Sequence, residues 1–323
     1  MTRVSIIIPT KDRFHDLQEA LISIITNAGV NIDEIIIIDS SRYKTHKRIA
    51  QLCEKIRREY NITFKLIYQP PKGLTSAINI GIKEAIGDIL VKIDDDTLCQ
   101  GNWLKYILNL FKADSQIGCC CVRILPYQND IRSKIYSSVL GMDKGPKVFI
   151  IRPQDISIRS IIRSIAEFIR FRLRTIPYKP YTPPPFIGYI VQAIRRSVID
   201  RVGLYDENLG VGTPIGGGEE LDLYYRILKA GFKIAYCGKS VIYHKCSRKL
   251  EVMTRDALES GKSKRAVIRK YMRRDPYMFI LFFFVLLFLL LNYYSSLILG
   301  RKPANKVVRL LIGLDLRGYL LGR

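Results

Sequence analysis

The chain has neither of the glycine signatures common in nucleotide-binding folds. No GxGxxG and no GxxxxGK(S/T) follows its first apolar run, which argues against a dinucleotide-binding dehydrogenase and a P-loop enzyme. No CxxC pair occurs among its seven cysteines, an odd number in 323 residues, so neither a zinc site nor a disulfide framework is indicated. They read as buried thiols in a reducing compartment. A signal peptide is not expected either, because Ile6-Ile7-Ile8 is cut short by Pro9 and then by charge. Acidic residues are scarce beside basic ones, 29 against 52, for a formal net charge of +23. That excess implies an anionic partner such as lipid headgroups, nucleic acid or a phosphorylated substrate. With no helix-turn-helix, zinc finger or RNP-type motif, a nucleic-acid partner is not expected.

Charge is missing altogether from Tyr277 to Gly300, and Phe279 to Leu291 is wholly Phe, Leu, Ile and Val. At a rise of ~1.5 Å per residue this stretch covers the ~30 Å hydrocarbon core of a bilayer, so a transmembrane helix is expected at 277–300. Tyr277, Tyr293 and Tyr294 stand where interfacial aromatics belong. Basic residues flank both ends. The denser set lies upstream (Arg269, Lys270, Arg273, Arg274), which puts the large N-terminal region on the cytoplasmic face of the cell membrane. Residues 251–276 read as a basic linker and 301–323 as a basic amphipathic tail.

Four aliphatic runs precede this: Val4 to Ile8, Glu34 to Asp39, Ile62 to Tyr68 and Ile89 to Ile93. Runs without polar alternation signal strands buried on both faces of a mostly parallel sheet. Between them, Arg13 to Ala28, Lys44 to Tyr60 and Thr75 to Ile86 carry apolar residues at helical spacing. The series is βαβ, hence a Rossmann-like α/β sheet with flanking helices. The last run ends in three carboxylates, Asp94, Asp95 and Asp96. Open α/β sheets bind ligands at this edge, and adjacent aspartates there suit a hard divalent cation, Mg2+ or Mn2+, carrying a diphosphate. Taken alone the three also fit a solvated acidic turn.

Further on, Gly216-Gly217-Gly218 leads into Glu219, Glu220 and Asp222 in the first turn of a predicted helix closed by Gly231. Acids there can simply complement the helix dipole. His244 follows a predicted strand from Lys239 to Tyr243. Between the two acidic motifs, Ile158, Ile161, Ile162, Ile165, Phe168, Ile169 and Leu173 share one helix face, with five arginines over the remainder. Such a helix fits a membrane interface or a core with a solvated basic side, and the span at 277 tips it toward membrane. Tyr178 to Pro185 then reads as an extended connector.

In colinear order, VSIIIPTKDR, IIIIDSS, GLTSAINIGIKEAIGD, VKIDDDT, GLYDENL, GGGEELDLYYRILKAGF and VIYHK resemble a family-two inverting glycosyltransferase of the GT-A fold over residues 3 to 247. The resemblance implies a glycosyltransferase domain at 1–250. Its halves are a nucleotide-sugar half at 1–98 and an acceptor half at 99–250, with the amphipathic insert at 155–185. It implies that Pro9, Thr10, Asp12, Arg13, Asp39, Lys72, Gly73, Asn79, Asp94 and Asp95 bind the nucleotide-diphosphate sugar. Asp96 and Asp94 would hold the metal, with His244 as a further ligand. Glu220 would be the general base, with Glu219 and Asp222 in reserve. Ile78 stands where the family's Ala-Arg-Asn-x-Gly pattern has arginine, so that contact would come from Lys72 or Arg13. The implied acceptor is a glycan or lipid-linked molecule at an anionic membrane surface. Transfer to a polyprenyl phosphate is the alternative, and a non-catalytic basic binding protein the third reading. Oligomeric state stays open.

Overall fold

A strand buried on both faces needs an apolar side chain at every position, and β1 (Val4–Thr10), β2 (Glu34–Asp39) and β4 (Ile89–Lys92) largely meet that need. The computed structural model describes residues 2–128, 143–159, 190–245 and 250–283. Along β1 the side chains alternate between two cores, as the period of two requires. Ile6 and Ile8 pack with Leu17, Leu21, Ile24 and Trp103 on one side, and Ile7 packs with Ile78, Ile82 and Leu223 on the other. Helices α1 (Phe14–Thr26), α2 (Tyr43–Tyr60) and α3 (Leu74–Glu84) connect β1, β2, β3 (Thr63–Tyr68) and β4, and all four strands are parallel. These elements match the sequence expectation to within one or two residues at their ends. Helix α3 lies so close to β1 that a Cβ at Gly81 would come within 2.4 Å of Ile7 Cγ2.

The second half comprises β5 (Thr97–Cys99), α4 (Trp103–Ala113), β6 (Ile117–Pro126), β7 (Val148–Ile151), β8 (Gln192–Arg195), α5 (Arg196–Val202), α6 (Glu219–Lys229), β9 (Lys233–His244) and α7 (Leu250–Met272). The sheet runs β3-β2-β1-β4-β8-β6-β9-β5, with β7 also on β9. Unbroken parallel pairing therefore runs from β3 to β4 and recurs between β6 and β9, and the sheet as a whole is mixed. Strand β8 starts where β4 ends, Gln192 opposite Lys92, so it can only run back along its neighbour. It is antiparallel to both β4 and β6. Trp103 is fully buried, its indole N–H donating to the Ile24 carbonyl at 3.1 Å. All six cysteines among the described residues are buried thiols.

Residues 251–276, expected as a basic linker, are mostly the helix α7. Its buried Val267 and Ile268 pack on the domain, an apolar stripe that the surrounding charge obscures. Its C-terminal end is tied down as well: Lys270 Nζ and Tyr271 Oη donate to buried Asp222 at 2.6 and 2.7 Å. No helix among the described residues is long and apolar enough to cross a membrane. Of the expected span at 277–300, residues 277–283 are described and helical, with Tyr277, Met278 and Leu281 buried on the domain and Phe279 and Phe283 about half exposed. The rest of that span and the tail lie outside the described residues. So do nearly all of the amphipathic stretch at 158–174 and the connector at 178–185.

Candidate active site

The carboxyl ends of β1 and β4 open onto a cleft of about 1290 Å³. Pro9, Thr10, Arg13, Lys72, Gly73, Asp94, Asp95, Asp96, Glu219, Glu220 and His244 all line it, so most of the predicted site residues converge from separate parts of the chain. Sheet register brings the histidine in: β5 pairs antiparallel with β9, setting Thr97 opposite His244, and the Lys245 N–H donates to the Asp96 carbonyl at 3.0 Å. His244 Nε2 then lies 3.2 Å from Asp96 Oδ1.

The three aspartates face different ways. Asp95 turns inward, accepting the Thr10 hydroxyl at 2.7 Å and the Arg13 guanidinium at 3.1 Å. Burial pushes its pKa up to about 7, against the pull of Arg13 and with the push of Asp96. Asp96 is also largely shielded. Burial raises its proton affinity, but hydrogen bonding and charge from His244, with Arg13 at 2.8 Å, outweigh it and hold the carboxyl below its usual range. Asp94, Asp96 and His244 each offer one ligand atom, all within 4.8 Å of one another. Two hard oxygens and an imidazole nitrogen so gathered could hold a divalent metal such as Mn2+ or Mg2+.

A cation that sequence reasoning did not single out completes the floor. Lys92, 4% exposed, places Nζ 2.8 Å from Asp94 Oδ1 and 3.7 Å from Glu220 Oε1. Burial alone would favour the neutral amine, but the carboxylates of Asp94 and Glu220 outweigh it and keep the ammonium charged. The available signal was a lone lysine inside an otherwise aliphatic strand, two residues before the acids.

Glu219 and Glu220 start α6 behind Gly218, whose φ of 94° lets the chain turn sharply into the helix. Burial, then the charge of Glu219, raises the Glu220 carboxyl well above its usual range, while Lys92 opposes the shift. Glu219 is raised by burial too, and its Oε2 has no hydrogen-bond partner. Gly-rich residues 210–218 hold the cleft's rim: the Leu74 N–H donates to the Val211 carbonyl at 2.9 Å, and Gly73 and Gly212 touch backbone to backbone. From α7, Glu259, Ser263 and Lys264 complete the lining, which composition gave no reason to expect.

Four predicted residues lie outside the lining. Asp222, on α6 itself, is fully buried on the side away from the cleft, held by Arg226, Lys270 and Tyr271, which removes it as a reserve base. Asn79 spends its amide on the backbone of Tyr205 and on Glu207. Asp12, at φ 55°, accepts the Arg42 N–H and fastens the loop before α2. Asp39 is sealed at the end of β2, its oxygens taken by the Ser41 N–H and by His46.

The family model described as "Glycosyl transferase family 2" matches residues 5–198. Among curated proteins, the chain is 38% identical over 119 residues to a dolichol-phosphate mannosyltransferase of Pyrococcus furiosus, covering 36% of this chain and 32% of that one. The chain spans about a third of the length of this relative and of the first curated match. Among solved structures, a mannosyltransferase of Pyrobaculum calidifontis in complex with GDP-Man and Mn2+ is similar with a TM-score of 0.55 at 15% identity, covering 85% of this chain and 65% of that one. GalNAc-T7 with UDP, GalNAc and Mn2+ is similar with a TM-score of 0.53 at 21% identity, covering 76% and 44%. At these identities the two structures speak for the GT-A type of fold alone. A family match that takes in more than half the chain, from the first strand through the aspartates to β8, makes this protein a member of glycosyl transferase family 2.

Proposed function

We propose that the protein is a metal-dependent inverting glycosyltransferase that moves a sugar from a nucleoside-diphosphate donor to an acceptor hydroxyl. The observation that carries this is the single cleft in which a possible metal triad and a buried, cation-backed glutamate meet. The Mn2+ bound in both similar structures supports the same ion at Asp94, Asp96 and His244 here. When bound there, the metal supplies Lewis-acid neutralisation of charge on the leaving diphosphate. Arg13 and Lys72, at the rim, are placed to bind the diphosphate oxygens in place of the arginine that Ile78 replaces. Glu220 Oε takes the acceptor proton in a single displacement, which inverts the sugar carbon. Glu220 must be ionised for that, and Lys92 favours the ionised form.

We further read the acceptor as lipid-linked and the protein as held at the cytoplasmic face of a membrane. The uncharged stretch at 277–300 and the +23 net charge support this. The UDP and GDP-Man held by the two similar structures support a nucleoside-diphosphate sugar as donor. The test is nucleoside diphosphate release from a panel of nucleotide sugars, with and without Mn2+, followed by the anomeric configuration of the product. Release that is indifferent to Mn2+, or a retained anomer, refutes the reading.

A further inference from the structure

A lysine is an unusual choice inside a strand buried on both faces. Along β4, Ile89, Val91 and the following Ile93 join the core that holds Leu17 and Trp103, while Leu90 belongs to the opposite core, with Leu223 and Tyr224 of α6. Alternation puts Lys92 on the Leu90 face, toward α6. Its side chain is 4% exposed, so carboxylates rather than water must offset the charge. Asp94 Oδ1 lies 2.8 Å from the ammonium and Glu220 Oε1 3.7 Å. These two acids have different tasks in the proposed reaction: one belongs to the metal triad, the other takes the acceptor proton.

The contact with Asp94 is close without being a directed bond. Oδ1 is buried and, among the described residues, has no aligned hydrogen-bond donor, although Asp94 offers a ligand atom within 4.8 Å of those of Asp96 and His244. A buried carboxylate oxygen so placed is an acceptor that a hard divalent cation takes up. Ammonium and divalent cation draw on the same carboxylate charge and repel each other, so Lys92 competes with the metal for Asp94. It can yield without leaving the cleft. The charge sits at the end of a flexible four-carbon stem with three rotatable donors, and a displacement of about 1 Å brings Nζ within hydrogen-bond distance of Glu220.

We propose that Lys92 is a positioning residue that exchanges carboxylates: metal binding at Asp94 displaces its ammonium toward Glu220, where it orients the base for the acceptor. An order follows, because Glu220 is fully backed by the ammonium only once the metal has taken Asp94. The role at Glu220 rests on the glycosyltransferase reading, whereas the competition at Asp94 concerns metal and lysine alone.

Calorimetric titration of the full chain with MnCl2, without nucleotide, compares the wild type with Lys92→Met, which keeps an unbranched stem and drops the charge. Loss of a competing unit charge from a shielded site should tighten Mn2+ binding by at least roughly tenfold, and Lys92→Arg, which keeps the charge, should not tighten it. At saturating Mn2+ and donor, sugar transfer by Lys92→Met should nevertheless fall by roughly tenfold or more, with the donor KM little changed. Tighter metal with slower transfer is a combination that damage to packing does not produce. Unchanged or weaker Mn2+ binding in Lys92→Met overturns the proposal, as does transfer at the wild-type rate. A crystal structure of the Mn2+-loaded wild type needs no variant: Nζ should stand within about 3.2 Å of a Glu220 carboxylate oxygen. An ammonium still seated on Asp94 there overturns the proposal whether or not the variants fold. Each of these failures leaves the glycosyltransferase reading standing when the wild type transfers sugar with Mn2+; a wild type that binds no Mn2+ overturns both.

Discussion

Replacing Glu220 with Gln removes one charge at nearly constant volume from a residue that is 7% exposed. In the wild type the Glu220 carboxyl is raised well above its usual range by burial and then by Glu219, with Lys92 opposing the shift from 3.7 Å. As a base it works only when ionised. Turnover should therefore fall on the acid side of the pH profile, with the limb displaced upward from that of an ordinary carboxylate. A positioned base contributes ~10²- to 10⁴-fold, which at ~1.4 kcal/mol per decade corresponds to ~3 to 5 kcal/mol of barrier. The Gln variant should lose that factor and the acid limb together, while its affinity for the nucleoside diphosphate changes little, because Asp94, Asp96, His244 and Arg13 are untouched. Stability moves the other way. A group whose folded pKa lies above its unfolded value stabilises the native state fully below the unfolded pKa and loses that contribution as pH rises through the folded one. The uncharged Gln has nothing to lose on that climb, so the metal-free variant should hold its melting temperature at alkaline pH better than the wild type. The assay is initial rate of sugar transfer against pH, paired with melting curves over the same range. A variant that keeps both rate and acid limb refutes the role of Glu220 and passes it to Glu219.

Asp96→Asn should abolish Mn2+-dependent turnover by at least ~10²-fold with the far-ultraviolet circular dichroism unchanged, since it weakens the metal triad at constant volume. Asp222→Ala should instead lower stability by ~3 kcal/mol in urea unfolding, the lower end for a broken buried pair because Lys270 is 37% exposed. A loss of turnover in Asp222→Ala with stability intact would restore it as a base. Gly81→Ala should cost ~1 to 3 kcal/mol, as the added methyl meets fully buried Ile7 and overpacking outweighs any helix-propensity gain; an unchanged urea midpoint would refute that packing. A chain ending at residue 283 should move from the membrane pellet to the supernatant of a cell fractionation, and its retention in the pellet would place the anchor elsewhere.

How much of this was legible in the sequence depended on whether a feature is local. Strand β2 falls on Glu34–Asp39 as expected, because a doubly buried strand writes itself as an unbroken Ile run. Strand β6 was not expected, although Cys119, Cys120 and Cys121 are as buried as the isoleucines; the thiols read as buried, but three in a row carry no strand periodicity of their own. The antiparallel entry of β8 could not be foreseen, since pairing between residues a hundred positions apart leaves no periodic trace. At the site, the aspartates were readable as strand-end acids, and Glu220 as a helix-start acid. Asp222 looked equivalent to Glu220, and only Lys270 and Tyr271, nearly fifty residues on, show that it faces away.

The family match stops at residue 198, and the active-site cleft does not. Asp94, Asp95 and Asp96 come from before that point, while His244, Glu219, Glu220 and the α7 wall come from after it. Lys92 spans the boundary. It reaches Asp94 on one side and Glu220 on the other, and the charge of Glu219 also acts on it. Carboxylates collected in one shielded place repel one another and favour protonation, and the buried ammonium among them opposes that rise at Glu219 and Glu220. A neutral residue at 92 would leave Asp94 and Glu220 without the cation that now lies within 2.8 Å of one and 3.7 Å of the other. The part of the chain that the family model matches thus contributes the aspartates and Lys92 to the cleft, and the part beyond it contributes His244, Glu219, Glu220 and the α7 wall.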